Sequence, residues 1–158
     1  MRFGFIVIAL LTFTGCDYTE RFASGRLSGD VSPTPTDWSL LDSTMLVQLE
    51  TNPKKPYSVN IWGVGIGSNY YVAAGEASEA DWANHIERNS AVRLRIEERI
   101  YLLDAHRVKD IKELVGVTTA FRNKYGGTQE WVDTAWVYRL TSRIEPNLTR
   151  YDRSRREA

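Results

Sequence analysis

One cysteine stands in the whole chain, Cys16, so no intramolecular disulfide can brace the fold. Histidine is nearly as scarce, with only His85 and His106. They lack His-x-x-x-His spacing and no cysteine cluster joins them, which leaves no metal site to assign. An excess of charge of one sign is missing too. Twenty basic side chains stand against twenty acidic ones, and without a basic surface no nucleic-acid partner is expected. No Gly-Lys-Ser or Gly-Lys-Thr occurs, so there is no P-loop. The main apolar run, at the N-terminus, covers about ten residues, half of the roughly 20 that a membrane-spanning helix needs. What is present suits one ordinary domain: 158 residues, 42% of them hydrophobic, enough for a real core. Aromatic side chains are plentiful. Five Trp and eight Tyr suit a core, an interface or stacking on a flat ligand.

The N-terminus carries Arg2, then the apolar run "FGFIVIALLTF", then Thr14-Gly15-Cys16. A charged start, a short apolar stretch and small residues before a cut make a secretion signal. The stretch resembles the lipobox of bacterial lipoproteins, with Phe13 where that family usually has Leu. The resemblance implies thioether lipidation of Cys16, cleavage before it, and membrane attachment through the lipid anchor. Asp17 resembles the residue that retains such proteins at the inner membrane, which implies the periplasmic face of that membrane in the cell envelope. An ordinary signal with an incidental cysteine is the plainer alternative. Residues 1–15 are thus expected to be the signal peptide. Residues 16–37, rich in Ser, Thr, Gly, Pro and charge, are expected to be a flexible tether. The domain is expected over 38–146, with a polar tail at 147–158.

Between these ends the pattern is mostly β. Residues 45–51 read as a strand closed by Asn52-Pro53, 57–64 as a second, and 69–74 as a third. A short helix is predicted over 78–89, with Ser78 as cap and Asp81 completing a capping box; Trp82, Ile86 and His85 or Asn89 share one side of it. In 91–96, Val92, Leu94 and Ile96 face one way and Arg93 and Arg95 the other. Residues 99–108 form another strand, with Glu97-Glu98 at the turn. Arg93, Arg95, Arg99 and Arg107 would form a basic face paired with Glu97 and Glu98. The longest helix is predicted from Asp110, its cap, to Gly126 or Gly127. Its apolar stripe is Ile111, Leu114, Val115, Thr118, Phe121 and Tyr125. A last strand lies within 134–146, where Trp136, Tyr138 and Leu140 alternate. Runs of strands joined by short turns favour an antiparallel sheet or small barrel.

Gly63, Gly65 and Gly67 raise the possibility of a nucleotide loop. A dinucleotide fingerprint needs Gly-x-Gly-x-x-Gly running into a helix whose N-terminus holds phosphate. Here the spacing is Gly-x-Gly-x-Gly and the continuation "SNYYVAA" is strand-like. The glycines therefore mark a hairpin and places where a bent strand needs no side chain.

The hairpin, then Trp82, His85, Ile86, Asn89, Ser90 and Val92 before a strand, then Lys124-Tyr125-Gly126, resemble the flavin-binding split β-barrel superfamily. That group includes the pyridoxamine-phosphate-oxidase-like and deazaflavin-dependent nitroreductase-like proteins. The resemblance implies a mainly β fold with some α: a six-stranded antiparallel split β-barrel with two helices, paired as a homodimer. It also implies FMN or deazaflavin F420 in clefts at the dimer interface, with hydride transfer carried by the cofactor. On this chain the implied cofactor-binding positions are Asn60, Trp62, Ala74, Gly75, Trp82 and His85; no catalytic side chain is implied. The sequence departs from the pattern where Ser90 replaces the usual Pro and His85 the usual Asn. It departs again at Glu76, Glu79 and Asp81, carboxylates that repel a phosphate. Ser78 and the helix N-terminus offset that in part, and Lys54 and Lys55 are candidate cations. Two functions follow. One is a membrane-anchored flavin- or deazaflavin-dependent oxidoreductase. The other is a non-enzymatic lipoprotein that kept the barrel, lost the cofactor and acts as a binding or envelope-associated module.

Overall fold

The structure, a computed structural model, describes residues 25–75, 77–126 and 134–143. Cys16 and the segment 147–158 lie outside the described residues. The strands are β1 (Asp30–Val31), β2 (Val47–Thr51), β3 (Tyr57–Ile61), β4 (Gly63–Ile66), β5 (Asn69–Ala74), β6 (Ala91–Ile96), β7 (Arg99–Arg107) and β8 (Trp136–Ser142). The helices are α1 (Asp81–Arg88) and α2 (Ile111–Tyr125), with 3₁₀ turns at Trp38–Leu41 and Ala77–Glu79.

Seven strands follow the order β3-β2-β6-β7-β8-β5-β4, each pairing antiparallel, and β1 lies parallel on β7. β3 and β4 end the path on opposite sides, yet only Trp62 separates them in the chain. One run of backbone therefore bonds to both margins of the sheet and rolls it into a barrel. Counted that way, the barrel has the six strands expected, with β1 as an addition. The single strand predicted over 57–64 is corrected to two. Ile61 pairs with Val47 of β2, whereas Gly63 pairs with Val72 of β5, so the run changes partner at Trp62.

Alternation fills the barrel from every side. Val47 and Leu49, Tyr70 and Val72, Val92 and Leu94, Tyr101 and Leu103, and Tyr138 and Leu140 share one interior cluster. α1 packs on β2 and β3 and adds Trp82, Ala83 and Ile86 to that cluster. The capping box expected at its start does not form. The 3₁₀ turn takes up Ser78, Ala80 becomes the N-cap without a side-chain bond, and Asn84 Nδ2 donates to the Ser78 carbonyl at 2.6 Å. α2 begins as expected, with Asp110 Oδ1 accepting from the Glu113 amide at 2.8 Å. Its buried face differs from the predicted stripe. Val117, Thr118 and Phe121 are buried, with Leu114 and Tyr125 beside them, against Val64, Tyr71, Ala73 and Val137 on the outside of the barrel. Ile111 and Val115 are 76% and 61% exposed, because the helix axis turns them past the edge of that small patch.

Of the segment expected as a tether, residues 25–37 run along the barrel. Leu27 is buried, and its amide donates to Glu50 Oε2 at 2.7 Å. That carboxylate pairs at 2.7 Å with Arg93, so Arg93 belongs to this buried pair rather than to a free basic face. Trp38 then enters the barrel, fully buried, 5.2 Å from the Tyr70 ring and 4.9 Å from the Tyr101 ring. Its entry explains the alternating glycines. A Cβ on Gly65 would strike the Trp38 backbone, and a Cβ on Gly63 the Tyr70 ring. Gly67, at φ 53°, makes the hairpin turn.

Gly63→Ala and Gly65→Ala should each lose about 1–3 kcal/mol through overpacking, read from the urea midpoint. Gly116→Ala, on the exposed side of α2 where a methyl meets nothing within 4 Å, should instead gain about 0.5–1 kcal/mol. Midpoints of both strand variants matching the parent would contradict the packing of Trp38 and Tyr70.

Candidate functional site

The partner change at Trp62 opens the sheet. The β4–β5 ladder stops at Gly63 and Val72. β5 continues through Ala73 and Ala74, but the chain opposite has already turned away to pair with β2. Asn60, Ile61 and Trp62 on one side, Ala73 and Gly75 on the other, and Leu46 border a cleft of about 270 Å³. A second hollow of about 230 Å³, bounded by Leu46, Gln48, Asn60, Arg95 and Glu97, adjoins it. Leu46 and Asn60 belong to both, so the two form one groove from the seam across the outward faces of β3, β2 and β6. Its apolar rim is exposed: Leu46 by 51% and Trp62 by 36%.

The seam is held open by the C-terminus of α2. Lys124 Nζ donates to the Gly63 carbonyl at 2.7 Å and pairs with Asp42 at 2.9 Å; its side chain is only 7% exposed. Asp42 also accepts from the Gly65 amide at 2.9 Å. The Tyr125 hydroxyl accepts from the Gly63 amide at 3.0 Å and lies 2.9 Å from the carbonyls of Gly63 and Met45, to either of which it donates. The Tyr125 ring stacks on Trp62, 4.7 Å between centroids and 10° from parallel. Lys124 and Tyr125, which entered the sequence pattern as part of a motif, are therefore the pins of the bend. Burial pushes the Tyr125 phenol up to about 12; its hydrogen bond from Gly63 partly opposes this and Asp42 adds to it.

The outward row of the groove is polar. Gln48 stands opposite both Asn60 and Arg95 in the sheet. Gln48 Nε2 donates to Asn60 Oδ1 at 3.0 Å, and Arg95 Nη1 donates to Gln48 Oε1 at 3.1 Å.

Of the six positions named from the sequence, Asn60, Trp62 and Gly75 meet at the cleft. Ala74 is adjacent but buried toward the barrel interior. Trp82 is a core residue, edge-on to Tyr138 at 5.7 Å. His85 lies beside the opposite end of β3, its Nδ1 3.1 Å from Thr51 Oγ1 and its ring edge-on to Tyr57. Leu46, Gln48, Arg95 and Tyr125 complete the groove, and sequence reasoning did not place them there. Alternation sets Gln48, Asn60 and Arg95 on outward positions, but nothing local shows that their strands are neighbours.

The donor set fits a planar ring better than a phosphate. Trp62 and Leu46 offer apolar wall and Asn60 offers an amide. Among the described residues, the cation lining the groove is Arg95, already engaged by Gln48 and by Glu98 Oε1 at 3.2 Å. Between β5 and the first turn of α1 the described charged side chains are Glu79 and Asp81, while Arg107 of β7 lies over the ring of Trp136, the strand partner of Ala74. Lys54 and Lys55 sit in the β2–β3 turn, at the far end of β3 from Trp62. No cluster of three or more His, Cys, Asp or Glu suited to a metal occurs among the described residues.

No protein-family model and no curated protein matches the chain. Solved structures do. A Listeria innocua protein provisionally assigned as a pyridoxamine 5'-phosphate oxidase superposes with a TM-score of 0.54 at 12% identity, covering 66% of this chain and 89% of its own. The heme storage protein HutZ of Vibrio cholerae gives 0.53 at 18% identity, with 66% and 86% covered. An FAD-binding protein of Mesorhizobium loti gives 0.51 at 13%, with 66% and 83% covered. The likeness is one of fold: the chain is a split β-barrel.

Alkali should loosen this arrangement. Burial first, and the hydrogen bond to Glu113 second, push Tyr71 up to about 12, and Tyr125 rises to about 12 as well, against an ordinary 10.0. Both folded values are raised, so the stability they carry is complete below pH 10 and is lost as pH rises through 12. Urea midpoints measured across that window should fall, and Tyr125→Phe should flatten part of the fall. A pH-independent midpoint would refute the burial of these phenols.

Proposed function

We propose that this protein is a lipid-anchored split-barrel oxidoreductase that holds the ring of FMN or deazaflavin F420 at the barrel seam, between two copies of the chain. The observation that carries the reading is the cleft at Trp62, where an exposed apolar rim meets a row of amides at the split of the barrel. The names of the structural neighbours point the same way, since one is called FAD-binding and another is placed with the pyridoxamine 5'-phosphate oxidases. The groove that the two hollows form is open to solvent along the exposed side chains of Leu46 and Trp62. A second copy seated on Leu46 and Trp62 covers that open side and keeps water out.

When bound, the flavin supplies hydride transfer. The chain's part is to hold the ring. Trp62 (backed by Tyr125), Asn60 and Gly75 would hold the ring, Trp62 by its apolar face and Asn60 by its amide. Attachment to the envelope membrane is assigned to a thioether lipid on Cys16. No helix among the described residues is long and apolar enough to cross a membrane.

A second reading is favoured by one observation. Glu79 and Asp81 follow β5 where a cofactor phosphate is expected. On that reading the barrel is a binding module that takes a ring without a phosphate, or carries no redox cofactor.

The two are separated by titrating the full chain, purified from detergent-solubilised membranes, with FMN, riboflavin, F420 and heme, following absorbance and flavin fluorescence. Binding of FMN or F420 supports the oxidoreductase, and Trp62→Ala should then weaken it about tenfold, the loss of one stacking contact. Binding of riboflavin or heme alone favours the module, and binding of none overturns the ring site. Sedimentation of the loaded protein should give twice the monomer mass. Cys16→Ala should shift the protein from the membrane to the soluble fraction; an unchanged membrane fraction would refute the anchor.

A further inference from the structure

The amide row that crosses the groove is polarised in one direction. It starts from Arg95, whose guanidinium is held on three sides. Nε donates to the Glu97 carbonyl at 2.8 Å, Nη2 to Glu98 Oε1 at 3.2 Å, and Nη1 to Gln48 Oε1 at 3.1 Å. A guanidinium has donors only and keeps its proton throughout the physiological range. The Gln48 atom that faces it must therefore be the oxygen. That fixes the other end of the Gln48 amide, and Nε2 turns to Asn60 at 3.0 Å. An NH₂ group can meet only an acceptor, so Asn60 presents Oδ1 inward. Its Nδ2, with two N–H donors, is left on the side of the groove it lines with Trp62 and Gly75.

We infer that Arg95 and Gln48 are positioning residues that lock Asn60 as a hydrogen-bond donor. The seam thereby selects a planar ligand with acceptor atoms along its edge, such as the carbonyl oxygens of an imide or pyrimidinedione ring. The ligand half of this rests on the ring-binding reading above; the orientation of the amides does not. A ring whose edge offers only N–H groups meets donors and is rejected, because a buried donor facing a donor leaves both unsatisfied. The relay also gives the groove's arginine a role: it sets the direction of two neutral amides.

The decisive change is Gln48→Glu. The introduced carboxylate still accepts from Arg95 but cannot donate to Asn60. Asn60 must then swing its NH₂ inward and present Oδ1 to the groove, inverting its character at constant size. Two readouts apply to the full ¹⁵N-labelled chain. In the parent, the Asn60 side-chain NH₂ signals should exchange rapidly with water; in Gln48→Glu they should move downfield and exchange more slowly. With riboflavin as probe, which lacks a phosphate, affinity should fall about tenfold in Gln48→Glu. Arg95→Met, which frees Gln48 to rotate, should give a smaller loss, and Arg95→Lys should restore most of it. If the Asn60 signals are the same in parent and Gln48→Glu, the relay is overturned. If they differ as described but the parent binds no riboflavin, the relay stands and the flavin reading fails. If parent and Gln48→Glu bind riboflavin equally well, the donor selectivity is overturned. The amide spectrum of each variant reports directly whether it is folded, and Asn60→Asp, which places acceptors in the groove without touching Gln48 or Arg95, should reproduce the loss of affinity.

Discussion

One stretch of backbone must satisfy two strands that face each other across a sheet. Residues 57–66 bond to β2 with their first half and to β5 with their second, and the other features of this barrel accommodate that double pairing. The chain bends at Trp62, so the bend lacks a strand partner on one side and the sheet opens there. The second half lies under Trp38 and beside Tyr70, so it can carry no side chain at positions 63 and 65. The freed polar groups of Gly63 still need partners in a partly buried place, and α2 delivers them: Lys124 to the carbonyl, Tyr125 to the amide. Lys124 is itself nearly buried, and an ammonium there is tolerable only because Asp42 meets it. Closure and cleft thus have a single cause.

Elements whose cause is local were legible in the sequence. β5 and β6 occupy the residues expected, because alternating apolar side chains bounded by turn residues define a strand without outside help. The Asp110 cap was legible for the same reason. Where distant contacts decide, sequence reasoning went astray. Ile111 and Val115 keep helical spacing with Leu114 and Thr118, yet the patch that receives α2 is small and leaves them in water. The Ser78 cap lost to a turn needed to leave β5. Residues 25–31 look like linker, since what holds them is a carboxylate on β2 and the edge of β7, neither of them near in sequence.

The site divides along the same line. Asn60, Trp62 and Gly75 were reachable because a strand pattern with a family resemblance marks them one by one. Gln48 and Arg95 were not, since their roles depend on β6 lying beside β2 and β2 beside β3, a cross-strand register that no window of sequence contains. The sequence marks Tyr125 by its place in a helical stripe and in Lys124-Tyr125-Gly126, but its hydroxyl matters only because the helix ends over the bend.

Placement of charge argues for what such a groove can hold. A phosphate brings about two negative charges and needs donors that are not already satisfied. The guanidinium lining this groove already donates to a backbone carbonyl, a carboxylate and an amide, and the described charges between β5 and the first turn of α1 are acidic. A neutral ring asks for less: a flat apolar surface, and donors or acceptors matched along one edge. Trp62 and Leu46 give the first and the aligned amides the second. For such a groove the binding energy would come from a ring rather than from a charged tail, and its apolar rim lies on the exposed side of the seam.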